Sequence, residues 1–600
     1  MEELRERKDI PEADRWDLSG LFENDEAWEE AFAALDALIA PLAGFAGTLQ
    51  DAAGVRAYLD AYFKAYLALA DVAEYAYLRH SEDTREQAAQ SMYLRADGKE
   101  TAFASAVAFA RPEILSLPEE TLKGLIADPQ LHDYAFLLED MCREKSHSLS
   151  APEERLLAGF GEVFSAPGKT AGCMMDADMT FERVRDGEGR EVELTGSNYI
   201  TLQSSTDRTL RKNAFCSYYR SYRALNHSFA SVYAAAVKGA SAVASARGYG
   251  SSREMSLAGE NIPVQVYDNL VETVRRHMPS MYRYVELRKR LLQLPELHYY
   301  DLYAPLTRDD SARYTYAQAQ QIVLEAVAPL GEDYVSTVRD AFSGRWVDVY
   351  PNRGKRGGAF SAGTYRSNPF IMTNFSGTID SVSTIAHEMG HSMHSWYARH
   401  AQPAQYADYT LFVAEVASTV NENLLIEDLL ARTDDPDRRM ALLRQYLENF
   451  KGTVFRQTMF AEFEQRAHAM SERGEALTAS VLNDLYRGLI CDYFGPSLVI
   501  DDEVSLEWSR IPHFYRPFYV YKYATGYSSA VALSEAIRGE GAPAVRRYRE
   551  FLSMGGSAYP LDELKHAGVD LTTTAPIGTA LKKFADVIED AERTAEKLGL

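Results

Sequence analysis

Apolar residues in the first half of the chain recur at helical spacing. Across 25–40 and 51–110, Ala, Leu and Tyr repeat at i, i+3 and i+4 between charged residues, as in amphipathic helices. Ser116-Leu-Pro-Glu119 and Ser150-Ala-Pro-Glu153 have the composition of capping boxes, so a helix is predicted to begin at each. One long helix is predicted from about Thr206 to Arg247.

Two zones interrupt this helical pattern. In residues 178–203, alternating positions flank Asp186-Gly-Glu-Gly189, which predicts a β-hairpin. Residues 297–306 and 345–375 form the other non-helical zone. Its short β-branched or aromatic segments at 345–350, 357–362 and 369–375, separated by Gly, Asn and Pro, predict a small sheet. Helices are predicted again from Asp380 to the end of the chain.

Composition places the chain among globular proteins and excludes some partners. Of its 600 residues, 46% are hydrophobic and 25% charged, and the net charge of −24 argues against nucleic acid and anionic membranes as partners. The charged N-terminal segment has no apolar core, and no uncharged apolar window is long enough to span a membrane. The four cysteines show no pairing pattern. A soluble, cytoplasmic protein is therefore predicted.

One pentapeptide carries the pattern His387-Glu388-x-x-His391. Residues four apart share a helix face, so both imidazoles can bind one metal ion. Glu388 can then accept a proton from a water beside the ion, as metal-assisted hydrolysis requires. Composition alone would produce only ~0.02 such pentapeptides in this chain. Asp380 or Ser381 is predicted to cap the helix.

A catalytic zinc ion usually has a third protein ligand. Some zinc enzymes use a histidine six residues after the second one, with glycine at the third, but these positions hold Tyr397 and His394. The other candidate is Glu415, the single charge in the apolar run 411–420. Coordination would remove the cost of burying its carboxylate, whereas a surface position on the helix is the alternative.

Two further residues are predicted to lie around the ligands. Glu422 lies two helical turns beyond Glu415, ~10 Å away, so it does not suit the same ion. It can instead accept the second N–H of a ligand histidine, although a plain surface position is the alternative. His394 is interpreted as a packing residue or as an outer partner of a ligand histidine, because a fourth ligand would close the site.

Longer segments extend this pattern over nearly the whole chain. HEMGHSMH is followed by Glu415, 24 residues after His391, and the other segments are WDLSGLF (16–22), HYYDLYAPL (298–306), WVDVYPNRGKRGGAFS (346–361), IPHFYRPFYVYKYATG (511–526) and GGSAYPLDELKHAGVDLT (555–572). Together they resemble the thimet-oligopeptidase-like zinc metallopeptidases, in particular the bacterial oligoendopeptidase F group.

The resemblance implies a mainly α fold of the neurolysin-like zincin type. Two helical lobes would enclose a deep substrate channel, with a small β-sheet near the zinc helix. Residues 1–110 would form an N-terminal helical region, 111–205 a helical segment with a hairpin like the N-terminal domain of oligoendopeptidase F, and 206–600 the catalytic domain.

The resemblance also implies a zinc site of the gluzincin type. One Zn²⁺ per chain would be held by His387, His391 and Glu415, with Glu388 as general base and then proton shuttle. Glu422 would stand behind these ligands.

Aromatic residues near the C-terminus are a second candidate group. His513 and five tyrosines crowd into 513–527, and from the residues alone a packed aromatic stripe is an open alternative. In the family, a histidine and tyrosines of this segment close onto the scissile carbonyl. His513 and Tyr519, then Tyr523, are therefore predicted to stabilise the oxyanion.

Gly357, Gly358, Ala359 and Phe360 are predicted to let a substrate backbone pair as an added strand. A plain turn into a strand is the alternative. The basic run 352–356 just before them is expected to be a solvated loop, and contact with a peptide carboxylate is the alternative.

These observations predict a zinc-dependent endopeptidase that hydrolyses internal bonds of short, unstructured oligopeptides. A dipeptidyl carboxypeptidase or carboxypeptidase on the same scaffold is the alternative, because only residues that block the channel end would differ. A non-catalytic peptide-binding protein is less supported, since Glu388 and the ligands are all present. A single three-ligand site does not suit metal storage. The sequence does not predict an oligomeric state.

Overall fold

The computed structural model describes residues 4–306 and 312–600, and helices dominate them as predicted. The helices of the first half are α1 (Asp25–Ile39), α2 (Ala52–Glu82), α3 (Gln87–Val107), α4 (Ala110–Leu115), α5 (Glu119–Ala127), α6 (Ala135–Arg143), α7 (Ala151–Gly159), α8 (Gly161–Cys173), α9 (Tyr199–Gln203), α10 (Arg208–Ala224), α11 (Asn226–Ala246), α12 (Ser252–Ala258), α13 (Val264–Arg276) and α14 (Met278–Leu291).

The second half continues with helices and few strands. Its helices are α15 (Tyr316–Ala326), α16 (Glu332–Ser343), α17 (Ile379–Ala401), α18 (Leu411–Arg432), α19 (Pro436–Asn449), α20 (Arg456–Glu472), α21 (Ala479–Phe494), α22 (Tyr521–Glu540), α23 (Ala542–Leu552), α24 (Pro560–Ala567) and α25 (Ala575–Lys597). The strands of the described chain are β1 (Val184–Arg185), β2 (Glu191–Val192), β3 (Leu297–His298), β4 (Val347–Asp348), β5 (Phe360–Ala362), β6 (Phe370–Met372) and β7 (Leu498–Val499).

One of the two predicted capping boxes forms. The Glu153 carboxylate accepts the backbone N–H of Ser150 at 2.9 Å, and α7 begins there. The prediction at Ser116 was wrong, because its hydroxyl donates to the Glu113 carbonyl at 2.7 Å and so serves the end of α4. Helix α5 follows Pro118 without a side-chain cap.

The long helix predicted over Thr206–Arg247 is two helices. The chain leaves the helical conformation at Leu225, whose φ and ψ are −109° and 10°. Helix α10 packs on α9 and on the 3₁₀ segment Asp502–Arg510, whereas α11 packs on α8 and α20. Because the chain breaks at Leu225, α10 and α11 can pack on different neighbouring elements. The apolar period runs on through the break, so the sequence pattern did not predict it.

Both predicted β regions are confirmed. Strands β1 and β2 form the antiparallel hairpin, with Val184 opposite Val192. Strands β4, β6 and β5 form a mixed sheet in that order, with β6 parallel to β4 and antiparallel to β5. The parallel pair of β3 and β7 was not predicted, because each strand is only two residues long and they are far apart in sequence.

The chain forms two compact units, each assembled from three stretches. Unit 1 comprises Met1–Ser146, Ala312–Asp428 and Leu533–Gly568, and unit 2 comprises His147–Ser311, Leu429–Ala532 and Val569–Leu600. The boundaries of these compact units differ from those of the predicted regions 1–110, 111–205 and 206–600. The three regions stay a prediction about domains along the sequence.

In unit 1, the N-terminal helices pack on the three-stranded sheet. Trp28 is fully buried and donates its indole N–H to the Val72 carbonyl at 2.8 Å. Trp16 contacts Phe360 of β5 and Phe370 of β6 with ring centroids 6.3 and 6.4 Å apart. This apolar contact fixes the face of β5 that carries Phe360 against the core.

The basic run 352–356 is the expected loop in part: Arg353 and Arg356 are exposed, but Lys355 is not. The side chain of Lys355 is buried, and its Nζ lies 2.6 Å from the carboxylate of the fully buried Asp348. The same ammonium donates to the carbonyls of Tyr350 and Thr373. Burial lowers the pKa of Lys355, and Asp348 opposes that shift. Lys355 therefore ties β4, β6 and the turn before β5 together.

Unit 2 is centred on buried aromatic and charged groups. The carboxylate of Glu507 lies 2.7 Å from both Arg456 and Arg510 and accepts the hydroxyls of Tyr299 and Tyr486. All its oxygens are thereby bonded, which is the condition for a stable buried charge.

Helix α11 is the one described helix that is long and apolar enough to cross a membrane by length and composition. It contains Lys238 and packs against α8, α20 and α21 inside unit 2. A packed core helix meets the same criterion, so this is weak evidence for a membrane segment.

Candidate metal centre

Helix α17 positions both histidines of the pentapeptide, and both belong to unit 1. The helix begins after Thr378, whose side chain accepts the Ser381 N–H, so the predicted caps Asp380 and Ser381 were wrong. Four residues apart, His387 and His391 point in one direction, with their Nε2 atoms 3.2 Å apart. The predicted shared face is confirmed.

Glu415 reaches the same place from α18. Its Oε2 lies 3.4 Å from Nε2 of His387 and 3.6 Å from Nε2 of His391. The Ser418 hydroxyl donates to the Glu415 carboxylate at 3.3 Å, which holds the side chain in place. The structure thus brings together the three residues that the sequence analysis named.

Gly390 allows the two helices to come this close. A Cβ atom at this position would lie 2.5 Å from the Cα of Ser418 and 2.6 Å from the Ala417 carbonyl oxygen. The approach is locked by Asn421, which donates to the Ala386 carbonyl at 3.1 Å and accepts the Tyr334 hydroxyl at 3.0 Å. The sequence analysis missed both residues, although the glycine inside a helix was a usable signal.

The three donor atoms fit a zinc-sized ion. Bonds of ~2.0–2.1 Å in tetrahedral geometry separate two ligand atoms by ~3.4 Å, and the observed separations bracket this distance. Within residues 4–306 and 312–600, this is the one cluster of three such side chains whose ligand atoms lie within 4.8 Å of one another. Two imidazoles and a carboxylate also suit zinc chemically.

Each histidine also bonds a group outside the cluster. Nδ1 of His387 lies 3.0 Å from Oε1 of Glu422, and His391 bonds the Ala414 backbone. Burial alone would lower the pKa of His387, but Glu422, Glu388 and Glu415 raise it. Burial and the neighbouring His387 lower the pKa of His391. Both arrangements leave Nε2 directed at the cluster.

Glu388 and His394 differ in their surroundings. Glu388 is buried beside His387, Glu415 and Glu422, and burial together with these two carboxylates raises its pKa to about 7. His394 points elsewhere: its ring stacks on Tyr409 with centroids 3.6 Å apart and lies near Phe551. Its position therefore agrees with the packing interpretation.

Strand β5 runs beside the metal-site helix in unit 1. The Ser361 hydroxyl lies 2.8 Å from that of Ser392, the residue after His391. Along β6, the N–H groups of Ile371 and Thr373 donate to the carbonyls of Trp346 and Asp348 on the β4 side. The backbone groups of Phe370 and Met372 therefore point to β5, where they pair with Ala362 and Phe360. Alternation then turns the backbone N–H and C=O of Ser361 away from β6, toward the free edge.

Of the four predicted contact residues before Ser361, Gly357 and Gly358 lie in a bend and Phe360 is the first residue of β5. Gly357 and Gly358 are exposed, Gly358 has a φ of +84°, and its carbonyl accepts from Asn374 at 2.9 Å. Ala359 leads into β5, and Phe360 packs toward Tyr77. The free edge thus lies at Ser361, and substrate contact by the four earlier residues stays a prediction.

The predicted aromatic group is assembled inside unit 2. Nδ1 of His513 bonds the Tyr519 hydroxyl, and the rings of Tyr519 and Tyr523 lie 5.9 Å apart. Tyr519 precedes α22, so the two tyrosines are not brought together by one turn of a helix. Instead, Phe518 has a φ of +60° and its N–H donates to the buried Glu464, which turns the chain back.

Burial governs the pKa values in this aromatic group. It lowers the pKa of His513, with a contribution from Arg456, and raises that of Tyr519. A neutral imidazole and a neutral phenol carry one proton each, so one proton lies in the bond between them and the other is left to donate. The other tyrosines are packing residues: Tyr515 contacts Tyr233, and Tyr521 contacts Tyr267.

Comparisons with known proteins agree with one another. The sequence profile of peptidase family M3 matches residues 201–583, and a profile described as oligopeptidase F matches residues 113–181. Oligopeptidase PepF from Bacillus subtilis is 43% identical, with 99% of this chain and 89% of that protein covered. A crystal structure from Chlamydophila abortus has a TM-score of 0.93 at 32% identity, with 99% and 100% covered. Oligoendopeptidase F from Enterococcus faecium has a TM-score of 0.74 at 35% identity, with 96% and 99% covered.

Proposed function

The chain belongs to peptidase family M3 and is an oligopeptide-cleaving metallopeptidase, and we propose that it is a zinc-dependent endopeptidase that hydrolyses internal bonds of short, unstructured peptides. The observation that carries the proposal is the separation of 3.2–3.6 Å among Nε2 of His387, Nε2 of His391 and Oε2 of Glu415. A cytoplasmic location stays a prediction.

His387, His391 and Glu415 would hold the zinc ion. When bound, zinc supplies a Lewis acid and makes a water acidic enough to react near neutral pH. Glu422 and the Ala414 backbone would orient the two imidazoles, because each bonds one of the two histidines from outside the cluster. This fixes the tautomer in which Nε2 carries the lone pair.

Glu388 would act as general base. Its carboxylate lies on α17 next to His387, buried from bulk solvent, where it can take a proton from the attacking water and later deliver it to the leaving amine. The bonded pair of His513 and Tyr519 would donate a hydrogen bond to the oxygen of the scissile carbonyl as its charge grows. Ser361 would pair with the peptide backbone and keep the substrate extended.

An internally quenched peptide tests the proposal. The purified protein is expected to contain about one zinc ion per chain, to cleave the peptide, to lose activity with a chelator and to regain it with zinc. Mass spectrometry of the fragments separates internal cleavage from release of C-terminal dipeptides or single residues. Full activity in a metal-free preparation would refute the zinc mechanism, and release of only C-terminal dipeptides or single residues would favour the carboxypeptidase alternative.

A further inference from the structure

The free edge of β5 ends abruptly at Gly363. By alternation, the backbone groups that face outward after Ser361 belong to Gly363. Its carbonyl accepts Nη2 of Arg399 at 2.8 Å, and its backbone N–H is bonded to the Glu74 carboxylate. The φ of Gly363 is +138°, so the chain also turns here. A peptide added to this edge can therefore pair with Ser361 but meets Glu74 and Arg399 where the next pair would form.

Glu74 and Arg399 still have unused bonding capacity. Oε1 of Glu74 and both Nε and Nη1 of Arg399 are buried without a hydrogen-bond partner among residues 4–306 and 312–600. Both side chains line a cavity of about 490 Å³ beyond the end of the strand. Since buried polar atoms are nearly always bonded in native proteins, these atoms indicate a polar ligand group at this end of the edge.

The cavity favours a cation over an anion. Three carboxylates line it, those of Glu74, Glu100 and Asp408, against the single guanidinium of Arg399. The remaining lining includes six aromatic residues, whose ring faces attract cations: Tyr62, Tyr66, Tyr77, Tyr93, Phe103 and Tyr365. Burial raises the pKa of Glu74 to about 7, which marks a carboxylate that lacks sufficient positive charge nearby.

The direction of the peptide follows from that charge. In an antiparallel pair with β5, the N-terminal end of the peptide lies at Gly363, whereas in a parallel pair the C-terminal carboxylate would lie there. We propose that this cavity binds the N-terminal ammonium group of the substrate peptide through Glu74, an inference that rests on the proposed peptidase function. The peptide then runs antiparallel to β5.

In this arrangement, the distance from the peptide N-terminus determines which bond is cleaved. Ser361 and Gly363 are ~7 Å apart along the strand, so the peptide residue paired with Ser361 lies about two residues from the N-terminus. Because Ser361 contacts Ser392 beside His391, the scissile bond lies a few residues further along. Extending a peptide at its N-terminus should move the cleaved bond by the same number of residues.

The test uses one peptide without lysine or arginine in four forms: free, N-acetylated, C-amidated and doubly blocked. With the zinc-loaded wild-type protein, N-acetylation is expected to lower kcat/KM by roughly 10-fold or more, as for the loss of one charge-assisted hydrogen bond. C-amidation should change it little. In Glu74→Gln, the penalty of N-acetylation should shrink to about 2-fold or less, while Glu30→Gln, an exposed residue on α1, should keep the wild-type penalty.

Each result has one meaning, because the readout is a ratio within one protein and does not depend on how much of a variant folds. Equal kcat/KM for free and N-acetylated peptides in the wild type would overturn this inference alone. If C-amidation rather than N-acetylation lowered kcat/KM, the C-terminus of the peptide would lie at the cavity. That result would also overturn the inference. An equal acetylation penalty in wild type and Glu74→Gln would remove Glu74 from the site. No cleavage of any form would refute the peptidase proposal itself, and this inference with it.

Discussion

Gly390 is the residue on which the contact between α17 and α18 depends. Gly390→Ala would place a Cβ atom 2.5 Å from the Cα of Ser418, and backbone atoms cannot yield as a side chain can. We expect a loss of roughly 1–3 kcal/mol in stability, typical of overpacking, together with weaker zinc binding as Glu415 moves outward. Thermal unfolding and zinc titration measure the two effects.

Gly98→Ala is the matched control, because Gly98 lies inside α3 and its added Cβ would have no heavy atom within 4 Å. Stability there should be unchanged or slightly higher, since alanine favours the helix. Equal behaviour of the two variants would show that the close approach of the helices is not needed.

Glu388 and Glu415 carry the same functional group but different proposed roles. Glu388→Gln keeps the shape and removes the proton acceptor, so zinc should be retained while kcat falls by at least ~10²-fold. Glu415→Ala and His391→Ala should instead lose zinc, and activity with it. Metal analysis after dialysis, paired with peptide kinetics, distinguishes the roles. If Glu388→Gln loses zinc as readily as Glu415→Ala, the assignment is incorrect.

The bonded pair of His513 and Tyr519 carries the third residue-scale prediction. Tyr519→Phe and His513→Ala should lower kcat with little change in KM, because the donated bond strengthens only in the transition state. One lost oxyanion donor typically costs ~3 kcal/mol in the barrier. Tyr515→Phe is the control, since Tyr515 packs on Tyr233. Wild-type kcat in both test variants would leave the group as an aromatic packing cluster.

At the scale of elements, the segment Asp502–Arg510 joins unit 2 through the buried Glu507. Burial alone would raise the pKa of Glu507, but Arg456 and Arg510 outweigh it and lower the pKa from its ordinary 4.5 to about 2. Because the pKa of Glu507 is lower in the folded than in the unfolded state, its carboxylate stabilises the folded state fully above pH 4.5. This contribution is lost as the pH falls toward 2. Unit 2 should therefore lose stability across this window.

Glu507→Gln tests this dependence. The variant should be less stable at pH 7 by about 3–5 kcal/mol, because Arg456 and Arg510 stay buried without their counter-charge. Its stability should also fall less steeply than that of the wild type between pH 4.5 and 2. Unfolding followed by tryptophan fluorescence, in a pH series, measures both. Glu162→Gln, at an exposed site in the same unit, should match the wild type, and an unaltered pH slope in Glu507→Gln would contradict the assignment.

At the scale of the whole molecule, the proposal is about substrate size. Pairing with Ser361 requires an extended backbone, and a folded domain would have to unfold at a cost of ~5–15 kcal/mol to provide one. The family resemblance further implies a channel that encloses both ends of the peptide. We therefore expect internal cleavage of unstructured peptides of roughly five to twenty residues and much slower cleavage of native or denatured proteins.

A length series of one unstructured sequence, with fragments identified by mass spectrometry, measures this selection. The cleavage rate per peptide molecule should fall for peptides longer than the preferred range. A denatured protein serves as the longest substrate in the series. Equal rates for the longest peptide and the denatured protein would argue against an enclosing channel while leaving the zinc chemistry in place.

The amino-acid sequence by itself determined the features that depend on neighbours along the chain. The helical period predicted a mainly α protein, and the spacing of His387 and His391 placed both rings on one face, because a helix fixes which residues share a side. Turn residues predicted the hairpin at Val184–Val192. The single charge in the apolar run 411–420 singled out Glu415, since a charge among apolar residues needs a strong partner if it is buried.

Tertiary structure alone decided what depends on contacts between distant segments. The break at Leu225, the buried Lys355 and the fit of Gly390 against Ser418 all arise from packing partners that no local pattern reveals. Thr378 rather than Asp380 caps α17 because the cap depends on the path of the incoming chain. Glu74 and Arg399 are 325 residues apart in sequence, yet they meet at Gly363, because side chains from separate helices converge only after the sheet and helices have packed.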